Sequence, residues 1–294
     1  MIGYLLAIGA AAIWSAVALS ATRVVRYFGS YNYNLLRLLG IIVFFFPYIY
    51  INWQSIYFDQ SIFTAIVLSS IIGIIIGDTF LFICLKRLGP RRQALLFSMQ
   101  IPFTIILAEI FLQTLPSLNE LIGCSLIFLG IIIAIQFNRT IPNDDLENIQ
   151  GNKYTGLFAG IGLALCQSIG IILMKPALVS TDPIVVSYLR VIVAAVIMFG
   201  SLFFIKNNQL WEKMKDIKKT VFSIFLGFMG MGVGMTMLII ALKNGDPGVI
   251  STLSSTMPIM IIPILWIVTK NYAGHLAVIG ASLTCFGAGI IFLS

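Results

Sequence analysis

The chain has 294 residues, of which 59% are hydrophobic and only 10% are charged, and its mean hydropathy is +1.02. Soluble domains average about 25% charged residues, because polar groups must cover their surface. The composition therefore excludes an ordinary soluble enzyme, a disordered chain and a disulfide-rich scaffold, and it predicts an all-α integral membrane protein.

Ten apolar runs, each about as long as a helix that crosses a bilayer, follow one another along the chain. The predicted helices are 2–22, 34–51, 62–85, 92–113, 118–137, 156–175, 184–205, 220–242, 248–269 and 274–292. The runs lack the period-two alternation of strands, and Gly, Pro and Asn fall between them. A hydrophilic segment, 137–155, separates the first five runs from the last five.

The two groups of runs repeat each other in their rarer residues. At an offset of 153, the first-half residues Gly3, Gly9, Ser15 and Arg37 correspond to Gly156, Gly162, Ser168 and Arg190. At an offset of 157, Gly73, Gly77, Pro90, Gly123 and Gly130 correspond to Gly230, Gly234, Pro247, Gly280 and Gly287. We predict a first repeat at 1–138, a linker at 139–155 and a second repeat at 156–294. Because each repeat has five helices, the second must enter the membrane from the opposite side, which makes the two halves inverted repeats.

The basic residues indicate the orientation of the chain. Fourteen of the 18 lie in the loops on one side of the predicted helices, whereas the other side carries only Lys175 and Lys243. The positive-inside rule places the basic side in the cytoplasm and both termini outside. We interpret this charge as a topology signal rather than a nucleic-acid site, and we expect a multi-pass protein of the cell membrane, in a bacterium the inner membrane.

The motifs of the third to fifth helices resemble a known family. They comprise Gly77-Asp78 followed by 85–91, then Ser98, Pro102 and Glu109, then Gly123 and Gly130. Over nearly its whole length the chain is similar to the ten-helix, EamA-type branch of the drug/metabolite transporter superfamily. The resemblance implies export or facilitated movement of amino acids, related metabolites or cationic drugs. It also implies a central cavity lined by helices 1, 3, 4, 6, 8 and 9.

Ionisable residues inside membrane spans are candidates for function because burying a charge in lipid is costly. Asp78 could bind a substrate amine or take a coupling proton, or it could pair with Lys86 or Arg87. Glu109 could be a second acidic relay, or it could reach the outer interface.

Arg37 and Arg190 occupy equivalent places in the two halves. One interpretation makes them gate latches that pair with carboxylates such as Asp78 or Asp182, toward opposite membrane faces. The alternative is that both are helix-end arginines that extend to the interface.

Two prolines within spans, Pro102 and Pro258, each remove a helical hydrogen bond and free the carbonyl four residues earlier. Interruptions at matching positions of inverted repeats point to a binding site at the midplane, although simple packing kinks are the alternative. The predicted substrate-binding residues are Trp14, Asp78, Ser98, Gln100, Gln167, Ser255 and Thr256. Trp14 corresponds to Gln167, so the site is not symmetric. The Gly73/Gly77 and Gly230/Gly234 pairs predict a contact between helices 3 and 8.

The sequence predicts no catalytic residues, no cofactor and no metal, because it has a single His275, isolated cysteines and no phosphate-binding loop. The expected partners are a small-molecule solute and the lipid bilayer, with no nucleic acid, and the chain could act as a monomer or a homodimer. The leading hypothesis is a secondary transporter that works by alternating access. The alternatives are a channel-like or facilitative uptake protein and an intramembrane enzyme.

Overall fold

The computed structural model of the protein describes residues 2–52, 59–112, 117–136, 146–180, 182–205, 209–243, 253–254, 256–270 and 274–293. All regular secondary structure in these ranges is helical, and they contain no β-strand. This confirms the all-α prediction for the part of the chain that is described.

The described part of the first half contains seven helices. They are α1 (Ile2–Phe28), α2 (Ser30–Asn52), α3 (Gln60–Ser69), α4 (Asp78–Leu88), α5 (Pro90–Phe97), α6 (Gln100–Leu112) and α7 (Leu118–Gln136). A π-helical stretch, Ser70–Gly77, joins α3 to α4 without interrupting the span, and we call it the first π-segment.

The second half gives a corresponding series. Its helices are α8 (Lys153–Ser180), α9 (Pro183–Ser201), α10 (Leu210–Lys213), α11 (Ile217–Gly227), α12 (Met235–Lys243), α13 (Met257–Thr269) and α14 (His275–Phe292). The second π-segment, Phe228–Gly234, joins α11 to α12. At the offset of 157, it ends at the residue that corresponds to the end of the first π-segment.

Seven helical stretches of the described chain are long and apolar enough to cross a membrane. They are Ile2–Phe28, Ser30–Asn52, Gln60–Leu88, Lys153–Leu173, Ile184–Ser201, Ile217–Leu238 and His275–Phe292. Two shorter apolar helices, Leu118–Ala134 and Met257–Thr269, accompany them. The chain is therefore built as an integral membrane protein, as its composition predicts.

The fourth predicted helix is divided in two. The division falls at Ser98 and Met99, between α5 and α6 and four residues before Pro102, whose ring nitrogen carries no hydrogen. The Ser98 carbonyl accepts from the Ile101 amide at 3.2 Å, which is a tighter turn than that of an α-helix. In the second half, α13 begins at Met257 with Pro258 in its first turn.

Glycines permit a close helix crossing between α7 and α14. Gly123 packs against the carbonyl of Gly287, and Gly130 packs against the carbonyl of Gly280. Because the two contacts run in opposite sequence directions, the helices are antiparallel. A methyl group at these positions would meet backbone atoms, so the approach depends on residues without side chains.

The predicted contact between helices 3 and 8 is wrong. Gly73 of the first π-segment lies against Gly170 of α8, and Gly230 of the second π-segment lies against Val17 of α1. Each glycine pair therefore packs on the first helix of the opposite half. The close approach that small residues permit was predicted, but the identity of the partner helix is not encoded in their spacing.

Candidate functional site

Asp78 lies at the start of α4, immediately after the first π-segment, and is 8% exposed. Its Oδ2 pairs with Nη2 of Arg37 from α2. Its Oδ1 accepts a hydrogen bond from Nε2 of Gln167 in α8 at 2.8 Å. The carboxylate therefore joins three helices and pairs with Arg37, rather than with Lys86 or Arg87.

Neighbouring groups hold the Arg37 guanidinium in place. Arg37 Nε donates to Oδ1 of Asn34 at 3.0 Å, and Asn34 Nδ2 donates to the carbonyl of Ile74 at 3.0 Å and to Oγ1 of Thr79 at 3.3 Å. The guanidinium also lies 4.9 Å from the centre of the Phe82 ring, within cation–π distance. These contacts orient the arginine toward Asp78.

Arg190 of α9 lies near the start of the first π-segment, at the opposite end from Asp78. Its Nη2 donates to the carbonyl of Ser69 at 3.0 Å, and the guanidinium packs beside Gly73. It also interacts electrostatically with Asp78. The two equivalent arginines thus contact 69–78 at Asp78 and at Ser69, and both guanidinium groups interact electrostatically with one buried carboxylate.

Each π-segment offers a carbonyl to the first helix of the other half. Gln167 Nε2 donates to the carbonyl of Gly73 at 3.2 Å, and Trp14 Nε1 donates to the carbonyl of Gly230 at 2.7 Å. Gln167 is the counterpart of Trp14 at the offset of 153, and Gly230 is the counterpart of Gly73 at 157. Different side chains therefore make the same contact in the two halves.

A second pair of equivalent contacts lies at the two helix interruptions, which are Ser98 and Met99 in the first half and the start of α13 in the second. Ser168 Oγ donates to the carbonyl of Gln100 at 2.9 Å, and Ser15 Oγ lies 3.3 Å from the carbonyl of Met257. These residues are also counterparts at offsets of 153 and 157. Thr104 Oγ1 donates to Ser168 at 3.0 Å, which ties the first interruption to α8.

Gln100 carries an unused acceptor at this interruption. Its Oε1 is buried, and no donor among the described residues reaches it. A buried amide oxygen is normally hydrogen-bonded, so this atom can accept a hydrogen bond from a ligand or from water. Gln100 begins α6, and its carbonyl accepts from Ser168, the residue that follows Gln167 in the sequence.

The predicted site residues thus fall into two groups. The first group lies at the first π-segment and comprises Asp78, Gln167, Arg37 and Arg190, and Gln100 adjoins it through Ser168. The second group comprises Trp14, at the second π-segment, and Thr256, at the second interruption. Ser98 and Thr256 use their hydroxyls locally, on the carbonyls of Ala94 and Leu253. Ser255 and the side chain of Glu109 lie outside the described residues.

Sequence reasoning did not assign Asn34, Thr79 or Phe82 to the site. Asn34 is one helical turn before Arg37, so it lies on the same face of α2, and this spacing was a usable signal. Ser168 was recognised as the counterpart of Ser15, but not as a contact of the interruption. Within the described residues, no three His, Cys, Asp or Glu side chains form a group able to hold a metal ion.

A pocket of about 320 Å³ lies at the basic end of the helices and not at the Asp78 cluster. Its lining residues are Leu19, Ser20, Arg23, Val24, Leu146, Lys219, Phe222 and Val268. None of the predicted site residues borders it. In this conformation the residues around Asp78 are packed against one another.

The comparisons with known proteins give a family, a relative and a similar fold. The sequence model of the EamA-like transporter family matches residues 1–136 and again 154–293. A protein of Archaeoglobus fulgidus named an uncharacterized transporter is 22% identical over 260 residues, covering 88% of this chain and 86% of the relative. A solved crystal structure aligns with 98% of this chain and 95% of its own, with a TM-score of 0.60 and 18% identity, which indicates a shared fold.

Proposed function

Because the chain belongs to the EamA-like transporter family, and is thus a multi-pass membrane transporter and not an enzyme, we propose that it is a secondary transporter of small organic solutes. It moves amino acids, amines or related metabolites by alternating access, and it acts as an exporter in the cell membrane. The site that carries this function is the cluster around Asp78 together with the two helix interruptions.

The architecture we propose is ten spans in two inverted repeats of five, with a linker at 139–155. We assign the ten spans to the seven long apolar helices, the two shorter ones and the α5–α6 pair. The family model matches twice, on either side of the linker. The antiparallel crossing of α7 and α14, which are counterparts in the two halves, is the arrangement that inverted repeats require.

A single observation carries the proposal of alternating access. The first helix of each half bonds to the π-segment of the other half, through Trp14 to Gly230 and through Gln167 to Gly73. Inverted-repeat transporters place their binding sites where the repeats meet, beside broken helices. Two nearly equivalent interfaces can exchange roles when one half rocks against the other, so that the site opens to each side in turn.

Within this scheme Asp78 has the coupling role. Its ion pair with Arg37 and its bond from Gln167 hold α2, α4 and α8 together. A substrate ammonium group or a proton that binds Asp78 would weaken the pair with Arg37 and free these helices to separate. Arg190 acts as the corresponding latch at the far end of the π-segment, and Glu109 as a second acidic relay.

The remaining predicted residues complete the binding site. Gln100 offers its free acceptor, and Trp14 offers an aromatic face for an organic cation. Ser98, Ser255 and Thr256 supply polar groups. Pro102 and Pro258 maintain the two interruptions, because neither can donate a helical hydrogen bond. No cofactor takes part, and the protein functions as a monomer or a homodimer in the bilayer.

Tracer flux in proteoliposomes tests this function. We would screen radiolabelled amino acids, amines and nucleobases, with empty liposomes as the control. A transporter gives saturable uptake that is accelerated by unlabelled solute on the opposite side, whereas a channel gives flux without such exchange stimulation. Absence of uptake above the empty liposomes for all three classes would refute the proposed substrates.

A further inference from the structure

The end of the linker is docked on the helices and does not serve only as a spacer. Residues 146–150, which we call the strap, lie against the turn between α4 and α5. Leu146 is 3% exposed and belongs to the same buried cluster as Leu88 and Leu95. A hydrophilic linker of this composition would normally lie in solvent, so its burial needs specific contacts.

Glu147 supplies the first of these contacts. It is 4% exposed, and its Oε1 accepts from the backbone nitrogen of Arg91 at 3.0 Å. Its Oε2 lies 3.4 Å from Nη2 of Arg91 and 3.5 Å from Nη1 of Arg92. Arg92 Nη1 also donates to the Glu147 carbonyl at 2.8 Å. Both arginines are as buried as the glutamate, so the carboxylate offsets charge that water does not reach.

Two further arginines tie the strap to α1 and α4. Arg26 Nη2 donates to the carbonyls of Leu146 and Asn148, each at 3.2 Å. Arg87 Nη1 donates to the carbonyl of Gln150 at 3.0 Å, and the Gln150 amide donates back to the carbonyl of Arg87 at 2.9 Å. The strap is therefore bound along its whole length by four basic residues.

The strap also reaches the second half of the protein. Leu146 and Val24 line the pocket at the basic end of the helices, opposite Lys219 and Phe222 of α11 and Val268 of α13. The strap thus lies where α1 of the first half meets α11 and α13 of the second. Under alternating access, these helices must separate when the site opens toward the basic side.

Building on the proposed function, we propose that the strap is a latch of the basic face. With Glu147 docked between Arg91 and Arg92 the basic face is closed, and opening requires Glu147 to leave them. The device is specific to one side, because the linker occurs once whereas the helices occur twice. It therefore makes the two conformations of an otherwise duplicated bundle unequal in energy.

Cysteine reactivity tests the latch without any transported solute. All four native cysteines are replaced by alanine. Val24→Cys, at a residue that is 4% exposed and lines the pocket together with Leu146, reports opening through its alkylation by N-ethylmaleimide in proteoliposomes. Glu147→Gln is compared with Glu212→Gln, which removes an exposed acid of α10 instead. A second reporter, Ala281→Cys, is fully buried in α14 and detects general unfolding.

We expect Glu147→Gln to accelerate alkylation of Val24→Cys at least about tenfold, because a buried charge has lost its partner. Glu212→Gln should leave the rate unchanged, and Ala281→Cys should stay unreactive in both variants. An unchanged rate at Val24→Cys would overturn the latch. An equal rise at both reporters would also overturn it, since the strap would then support the whole fold. Failure to detect transport would refute the proposed function and would not alter these rates.

Discussion

Trp14 Nε1 donates a hydrogen bond of 2.7 Å to the carbonyl of Gly230, across 216 residues of sequence. The contact has a counterpart in which Gln167 occupies the place of Trp14 and Gly73 the place of Gly230. An indole and an amide share little except an N–H donor. The preserved element is therefore the bond to the π-segment, while the surrounding side chains differ between the halves.

We predict unequal costs when these two donors are removed. Trp14→Phe deletes one hydrogen bond and should lower the free energy of unfolding by about 1 kcal/mol. Gln167→Leu deletes the bond to Gly73 and also the bond to Asp78, so it should cost about twice as much. Denaturant unfolding in detergent measures both. Equal effects would mean that the Asp78 bond contributes nothing to stability.

The Arg37–Asp78 pair separates a structural effect from a functional one. Asp78→Asn leaves a mostly buried guanidinium without its counter-charge and should cost about 3 kcal/mol. The double variant Arg37→Gln, Asp78→Asn carries no charge at either position, and its two amides can still hydrogen-bond to each other. Most of the lost stability should therefore be recovered. Tracer flux should be abolished in both variants. Recovery of flux together with stability would remove Asp78 from the coupling role.

The crossing of α7 and α14 gives a steric prediction. In Gly280→Ala, the new methyl group would overlap the Gly130 carbonyl and Ala134, which should cost about 2 kcal/mol. Gly200→Ala, in α9, is the matched control, because nothing lies within 4 Å of the added carbon. It should be neutral, or stabilising by up to about 1 kcal/mol. Thermal unfolding of the two variants in detergent compares them, and similar midpoints would contradict the close crossing.

Asp216 gives a prediction for pH. Its carboxylate caps α11 by accepting from the Lys219 amide at 3.2 Å and from Lys219 Nζ at 2.7 Å, and these bonds hold the pKa of Asp216 below its usual value. The cap therefore stabilises the first turn of α11 above the unfolded-state pKa and is lost as pH falls through the lower folded-state pKa. Protection of the Lys219 amide against hydrogen exchange, relative to its intrinsic exchange rate at each pH, should fall at acidic pH in the wild type. Asp216→Ala should exchange fast at neutral pH already, and a protected amide in that variant would contradict the cap.

Several features could be predicted from the sequence because they follow from local chemistry. Pro102 marked the division between α5 and α6, since a proline cannot donate the helical bond. Glycine and arginine offsets identified Trp14 and Gln167 as counterparts before their contacts were known. The apolar composition of the runs was sufficient to predict a membrane protein made of helices.

Other features depend on pairings across long sequence separations, which composition cannot reveal. The sequence offered both Arg37 and Lys86 as partners of Asp78, and only the packing of α2 against α4 selects Arg37. The sequence places Glu147 in the hydrophilic linker and does not indicate its partners Arg91 and Arg92, which lie about 55 positions earlier in the chain. The π-helical form of Ser70–Gly77 was not predicted either, because such turns are rare and an apolar run does not distinguish them from an α-helix.

The central claim is that two halves of inverted topology enclose the site. The first residues of α7 and α14 test this claim most directly. These helices begin at Leu118 and His275, which are counterparts at the offset of 157 and are both exposed. In a background without other cysteines, Leu118→Cys and His275→Cys would be labelled with a membrane-impermeant maleimide in right-side-out and in inside-out vesicles. We predict labelling of Leu118→Cys from the outside only and of His275→Cys from the cytoplasmic side only. Labelling of both residues from the same side would contradict the inverted arrangement.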